Sequence, residues 1–144
     1  LAASDVLLSE PLNLVRNGGF NFGLEGWSVT GSTTLMAEAG IGSPSLRVVA
    51  GTVQRSMPAQ PGQAYVCRAL YRMTAGGTGS VRVEYLNGSG TVLGQAQASL
   101  SQSSAWTTAE VLFTAPAGTA SLRVVATAAA AAELSVDDLT VAVR

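Results

Sequence analysis

The chain has 144 residues, of which 47% are apolar and only 12% charged, with a net charge of −1 and a pI near 5.3. Its basic residues are all arginine, and the absence of lysine and histidine excludes an imidazole base, a Ser–His or Cys–His pair and any His-bearing zinc site. So weak an acidic balance carries no footprint for nucleic acid or an anionic membrane surface, and neither is expected as a partner.

The first dozen residues differ from the rest of the chain. Val6-Leu7-Leu8 and Leu12 are apolar but separated by Ser9-Glu10-Pro11, and a proline there interrupts regular strand pairing. Two readings fit residues 1–12: an edge or loose terminal segment, or an arm that lays Leu7, Leu8 and Leu12 onto a neighbouring subunit. Residues 13–144 are expected to form one domain, large enough to bury a real core. The opening Leu1-Ala2-Ala3-Ser4-Asp5 lacks the basic flank and apolar stretch of a secretion signal, and no apolar run approaches the ~18 residues of a membrane span.

Beyond the opening, strand signals dominate. Apolar residues alternate with polar ones at 45–50, 80–85, 110–114, 121–126 and 139–143. Turn signals lie between these runs: Gly-Ser-Pro at 42–44, Pro61-Gly62, Gly76-Gly77, Asn87-Gly88 and Pro116-Ala117-Gly118. Asn87-Gly88 is expected to turn a hairpin, because both residues tolerate positive φ. The alanine run at 128–132 is helix-prone by propensity but short and flanked by strand-like segments, so it reads as a loop. The lone Cys67 lies in a strand-like run and is expected to be a small buried apolar group.

Ser-Leu-Arg-Val-Val-Ala occurs twice, at 45–50 and 121–126. No constant period links other segments, so this is not a solenoid repeat. It describes two strands with the same demand: Leu and Val inward at alternate positions, Arg outward. Short strands separated by Gly, Pro and Asn turn signals, with no long helical period, imply an all-β fold, a sandwich or barrel.

From Asn13 to Trp27 a strand-like run enters a glycine-rich turn, after which Phe20, Leu24 and Trp27 supply apolar anchors. This stretch resembles the opening of carbohydrate-binding modules of families 4, 9, 16 and 22, which share a galactose-binding-like jelly roll. It is also similar to openings found in bacteriophage structural proteins. The resemblance continues through residues 58–65, the hairpin at 84–90, the pair of segments at 106–108 and 113–118, and the closing Val136-Asp137-Asp138-Leu139. It implies an antiparallel two-sheet jelly-roll β-sandwich with an extended N-terminal segment, in which Trp27, Trp106, Phe20 and Phe113 are core anchors and Tyr65 opens a central strand. It further implies a structural calcium held partly by a Glu after the opening Phe and by an Asp of the closing strand. Here Asn21 stands at the first position, with Asp137 or Asp138 at the second, so one carboxylate is lost; no cofactor is expected.

Glycan recognition needs exposed rings for stacking and polar groups for the hydroxyls. With 6% aromatic residues, the rings left over for a ligand face are Tyr71, Tyr85 and Phe22. Tyr71 with Arg68, Arg72 and Gln63 could line a concave sheet. Glu84 and Glu110 are expected to be solvated, outward strand positions rather than a catalytic pair, and no phosphate loop or metal cluster is present. The chain is therefore read as non-catalytic. Its low charge and apolar N-terminal segment favour an assembly role, as a jelly-roll decoration protein on a virus particle that contacts itself and neighbouring structural subunits. The alternative is a secreted or cell-surface glycan-binding module.

Overall fold

The computed structural model describes residues 14–15, 20, 24–37, 44–73, 78–129 and 132–144. The remaining positions, among them Leu7, Leu8, Leu12, Asn21 and Phe22, lie outside the described residues.

Eight strands follow in chain order: β1 (Ser28–Ala37), β2 (Pro44–Pro58), β3 (Ala64–Met73), β4 (Gly79–Leu86), β5 (Val92–Leu100), β6 (Ser103–Thr114), β7 (Ser121–Ala128) and β8 (Glu133–Val143). Their hydrogen-bonded order is β5-β4-β7-β2-β8-β3-β6, with β1 along the other edge of β2. All pairings are antiparallel. The fold is the expected all-β jelly-roll sandwich.

The two layers separate within β2. Its first half pairs with β8, from Leu46↔Val136 to Val49↔Glu133, and its second half pairs with β7, from Thr52↔Thr127 to Pro58↔Ser121. Between the halves Ala50 takes a left-handed φ of 48° and the β1–β2 register shifts at Thr30/Ser32. The crossing is tight enough to need glycine: a Cβ on Gly51 would lie 2.1 Å from the Thr30 carbonyl oxygen, and one on Gly31 2.6 Å from the Gly51 Cα. This bend lets a single strand serve both sheets.

Period-two alternation then decides what is buried. Val81, Val83 and Tyr85 of β4 and Leu122, Val124 and Ala126 of β7 face inward from one layer. Tyr65, Cys67, Ala69, Tyr71 and Met73 of β3, with Leu134, Val136, Leu139 and Val141 of β8, face them from the other. All belong to one continuous core. The rings of Tyr85 and Phe113, 5.9 Å apart, join the layers, and Phe113 stacks on Tyr65 at 5.6 Å. Phe20 and Trp27, 5.4 Å apart, are buried with them, as expected of anchors. The Cys67 thiol is buried, which pushes its pKa up to about 12.

The repeated hexapeptide behaves as its pattern demands. Leu46, Val48, Leu122 and Val124 are fully buried. The arginines point outward, each to a glutamate: Arg47 to Glu133 and Arg123 to Glu84. β2 and β7 are neighbours, but the two hexapeptides are not aligned with each other, since β7 pairs with the later part of β2.

The β4–β5 hairpin corrects the expected two-residue turn. Its loop runs from Asn87 to Thr91, and the left-handed residue is Gly90, at φ 85°, rather than Asn87 or Gly88. Asn87 organises it through its side chain: Oδ1 accepts from the backbone N–H of Ser89 (3.0 Å) and of Thr91 (2.9 Å), and from Ser89 Oγ. A side-chain acceptor that mimics a backbone carbonyl relieves the need for positive φ at Asn87.

Candidate functional site

Each layer shows solvent one outer face. On the β3 layer the outward residues of β3 are Val66, Arg68, Leu70 and Arg72, opposite Leu112, Glu110 and Thr108 of β6. Arg68 Nε donates to Glu110 Oε2 at 2.7 Å, an exposed pair. Trp106 also lies on this side, half-buried, with the Arg72 guanidinium 5.2 Å above its ring. This corrects the expectation that Trp106 is a core anchor. β6 turns Thr107, its neighbour, toward Tyr71 and the core, so period two sends Trp106 out.

The same parity separates the residues expected to share one binding face. Tyr71 and Tyr85 point between the layers and are buried, with the Tyr71 hydroxyl donating to the Ser101 carbonyl at 3.3 Å. Burial raises the Tyr85 hydroxyl pKa above its ordinary value. Arg68 and Arg72 point the other way, and Gln63 sits in the turn before β3, its Nε2 donating to the Ala64 carbonyl. Odd and even positions of one strand cannot meet on one surface.

Asp137 is fully buried on the outer side of β8, opposite Leu70, and its Oδ1 accepts the backbone N–H of Asp138. Asp138 is exposed, at φ 46°, where the β3–β8 register shifts between Arg68 and Leu70. Ser45 Oγ, near Asp137, is buried and has no hydrogen-bond partner among the described residues. Asn21, the other residue expected at a calcium, lies outside the described residues. Among the described residues no three His, Cys, Asp or Glu side chains gather into a metal-binding group.

The other outer face, formed by β5, β4, β7 and the second half of β2, holds the strongest constellation. Glu84 of β4 stands directly opposite Arg123 of β7 and two residues from Arg82. Arg123 Nε donates to Glu84 Oε1 at 2.6 Å and Arg82 Nε to Oε2 at 3.2 Å. Arg82 Nη1 also reaches Thr127 Oγ1 at 3.3 Å. Burial alone would raise the Glu84 carboxyl, but the hydrogen bonds and charges of Arg123 and Arg82 prevail and hold it below the usual carboxylate value. Glu84 is therefore buried and doubly paired rather than solvated as expected. Sequence reasoning missed this, although Arg82-Val83-Glu84 with an outward Arg123 elsewhere was the available signal.

Around this triad lie further polar side chains. Gln95 and Gln97 of β5 lie opposite Glu84 and Arg82, and Gln95 Nε2 donates to Gln97 Oε1 at 3.0 Å. Gln54 of β2 lies opposite Val125, which is itself fully buried between Gln54 and Arg82. Three interstrand steps of ~4.8 Å spread these groups across ~14 Å. None of the outward residues on these four strands is aromatic. The arrangement is a rigid array of donors and acceptors on hydrogen-bonded strands, suited to holding a polyhydroxylated ligand by hydrogen bonds.

No protein-family model and no curated protein matches this chain. Solved structures do. A family 16 carbohydrate-binding module is similar with a TM-score of 0.73 at 23% identity, over 90% of this chain and 99% of its own. A CBM61 module in complex with β-1,4-galactotriose is similar with a TM-score of 0.70 at 15% identity, covering 92% and 99%. The enzymatically active domain of bacteriophage CBA120 tailspike protein 4 is similar with a TM-score of 0.75 at 13% identity. The chain covers 22% of that domain, and 28% of a Clostridium thermocellum xylanase fragment carrying CBM22-1 and GH10 modules. At these identities the likeness is one of fold.

Proposed function

We propose that this domain is a glycan-binding accessory module whose ligand lies across the β5–β4–β7–β2 face. The observation that carries this reading is the Arg82–Glu84–Arg123 triad flanked by Gln54, Gln95, Gln97 and Thr127. Such side chains, held by strand pairing and by one another, are preorganised, and preorganised donors and acceptors lose little entropy on binding a flexible sugar. Fold-level similarity to carbohydrate-binding modules over nearly their full length supports the same reading. The chemistry it calls for is binding: the carboxylate on the face, Glu84, is held by two arginines.

The test is affinity electrophoresis of the protein through gels containing single polysaccharides. Retardation by at least one polymer is expected. Gln95→Ala and Gln97→Ala, exposed positions that leave the core untouched, should each weaken it by about fivefold or more. Migration unaffected by any polymer would refute the reading.

A second reading, a decoration-type domain on a virus particle, is favoured by the similarity to part of a phage tailspike. The exposure of Val92, Leu93, Leu112 and Val143 also suits contact with neighbouring subunits. On this reading Leu7, Leu8 and Leu12 form the intersubunit arm. Light scattering should then show an oligomer that dissociates when residues 1–12 are removed, and a monomer before removal would count against it.

A further inference from the structure

We infer that the β5–β4–β7–β2 face selects an acidic saccharide, one bearing carboxylate or sulfate groups, over its neutral counterpart. The inference deepens the glycan-binding reading and rests on it.

The first observation is the charge balance. The outward residues of these four strands include two arginines, Arg82 and Arg123, and one acid, Glu84. Glu84 engages the Nε of both, so one full positive charge is left over on the face. In a protein whose net charge is −1, that surplus is local, not a general attraction for polyanions.

The second is geometric. Glu84 accepts from the Nε of each guanidinium, one carboxylate oxygen to each arginine. Arg82 commits Nη1 to Thr127, whereas no described residue accepts a hydrogen bond from Arg123 Nη1 or Nη2. A guanidinium held at Nε and open at its terminal nitrogens offers two parallel N–H donors, the fork that fits a carboxylate or sulfate. Lysine, had it stood here, would supply charge without the fork.

The third is the missing alternative. A neutral chain is gripped largely by stacking its apolar faces on aromatic rings, and this face presents none. The half-buried ring of Trp106 is on the opposite layer and carries Arg72 over it. What remains on this face is hydrogen bonding and charge. Gln97 Nε2 and Gln95 Oε1, left over from their mutual bond, can serve the hydroxyls of adjacent sugars.

The test compares matched pairs of polymers: polygalacturonate and alginate against their carboxyl-reduced forms, and chondroitin sulfate against its desulfated form. Binding is measured by affinity electrophoresis and calorimetry. At least one acidic polymer is expected to bind ~10-fold or more tightly than its partner, and to weaken between 50 and 200 mM salt. Arg123→Gln should abolish the preference, and Arg123→Lys, which keeps the charge beside Glu84, should retain part of it. Arg47→Gln, on the other layer, should leave it unchanged. Equal or tighter binding of the neutral partners would overturn the inference while leaving the glycan-binding reading intact. A preference that survives Arg123→Gln would overturn its placement on this face. No binding to any polymer, acidic or neutral, would overturn both.

Discussion

Replacing Glu84 with glutamine isolates what the triad contributes to the fold. The side chain is 11% exposed and those of its partners Arg82 and Arg123 are 27% and 29% exposed, so solvent screens the network only in part. Hydrogen bonds to charged groups contribute about 1.5–3 kcal/mol net. Glutamine keeps one acceptor, loses the charge and turns an NH2 toward an arginine that can only donate. Partial exposure moves the cost toward the lower end, about 2 kcal/mol. For a domain of this size that lowers the thermal midpoint by ~6–8 °C.

The same substitution should change the pH dependence of stability. The folded carboxyl titrates below its unfolded value of ~4.3, so its contribution is fully present above that pH and is lost as pH falls through the folded value. Urea unfolding followed by tryptophan fluorescence should therefore show a wild-type advantage at pH 7 that shrinks below pH ~4. Glu110→Gln is the control: its pair with Arg68 is about half exposed on both sides, and such pairs are worth less than ~1 kcal/mol. A Glu84→Gln protein within ~0.5 kcal/mol of wild type at pH 7 would show that the triad is an ordinary surface pair, and an advantage that persists undiminished at pH 3 would show that it does not come from the ionised carboxylate.

Three further outcomes are expected from the packing. Gly51→Ala should cost at least ~2 kcal/mol, because its Cβ meets the Thr30 backbone at 2.1 Å where β2 passes between layers; near-neutral unfolding would mean that the crossing relaxes freely. The Cys67 thiol should resist Ellman's reagent until the protein is unfolded. Because its folded pKa is raised, stability should fall as pH rises above the ordinary thiol value of 9.0 toward about 12, by up to ~1.4 kcal/mol per pH unit, and Cys67→Ala should remove that part of the slope, leaving the part that the buried Tyr85 hydroxyl adds above 10.0. Tyr65→Phe should cost about 1 kcal/mol in denaturant titration, since the buried hydroxyl accepts the Gln60 N–H at 2.9 Å; an unchanged midpoint would show that water replaces it.

Residues 45–50 and 121–126 show how far local pattern reaches. Alternation by itself placed Leu46, Val48, Leu122 and Val124 inside and Arg47 and Arg123 outside, because a pleated strand allows no other division. It also sufficed for the all-β class and for Cys67 as a buried thiol. Read strictly, it separates Tyr71 from Arg68 and Arg72, and Trp106 from the core, and in those places resemblance to a family was a weaker guide than parity.

Which outward residues meet was settled only by the tertiary structure. Glu84 and Arg123 are 39 positions apart, and nothing local says that β4 lies beside β7 or that β5 brings Gln95 and Gln97 alongside. The split of β2 between two layers, where Gly51 passes Gly31 of β1, is likewise a steric event between separate strands. Hydrophobic period specifies which way a side chain points, whereas strand order, set by the packing of the whole sandwich, decides what it points beside.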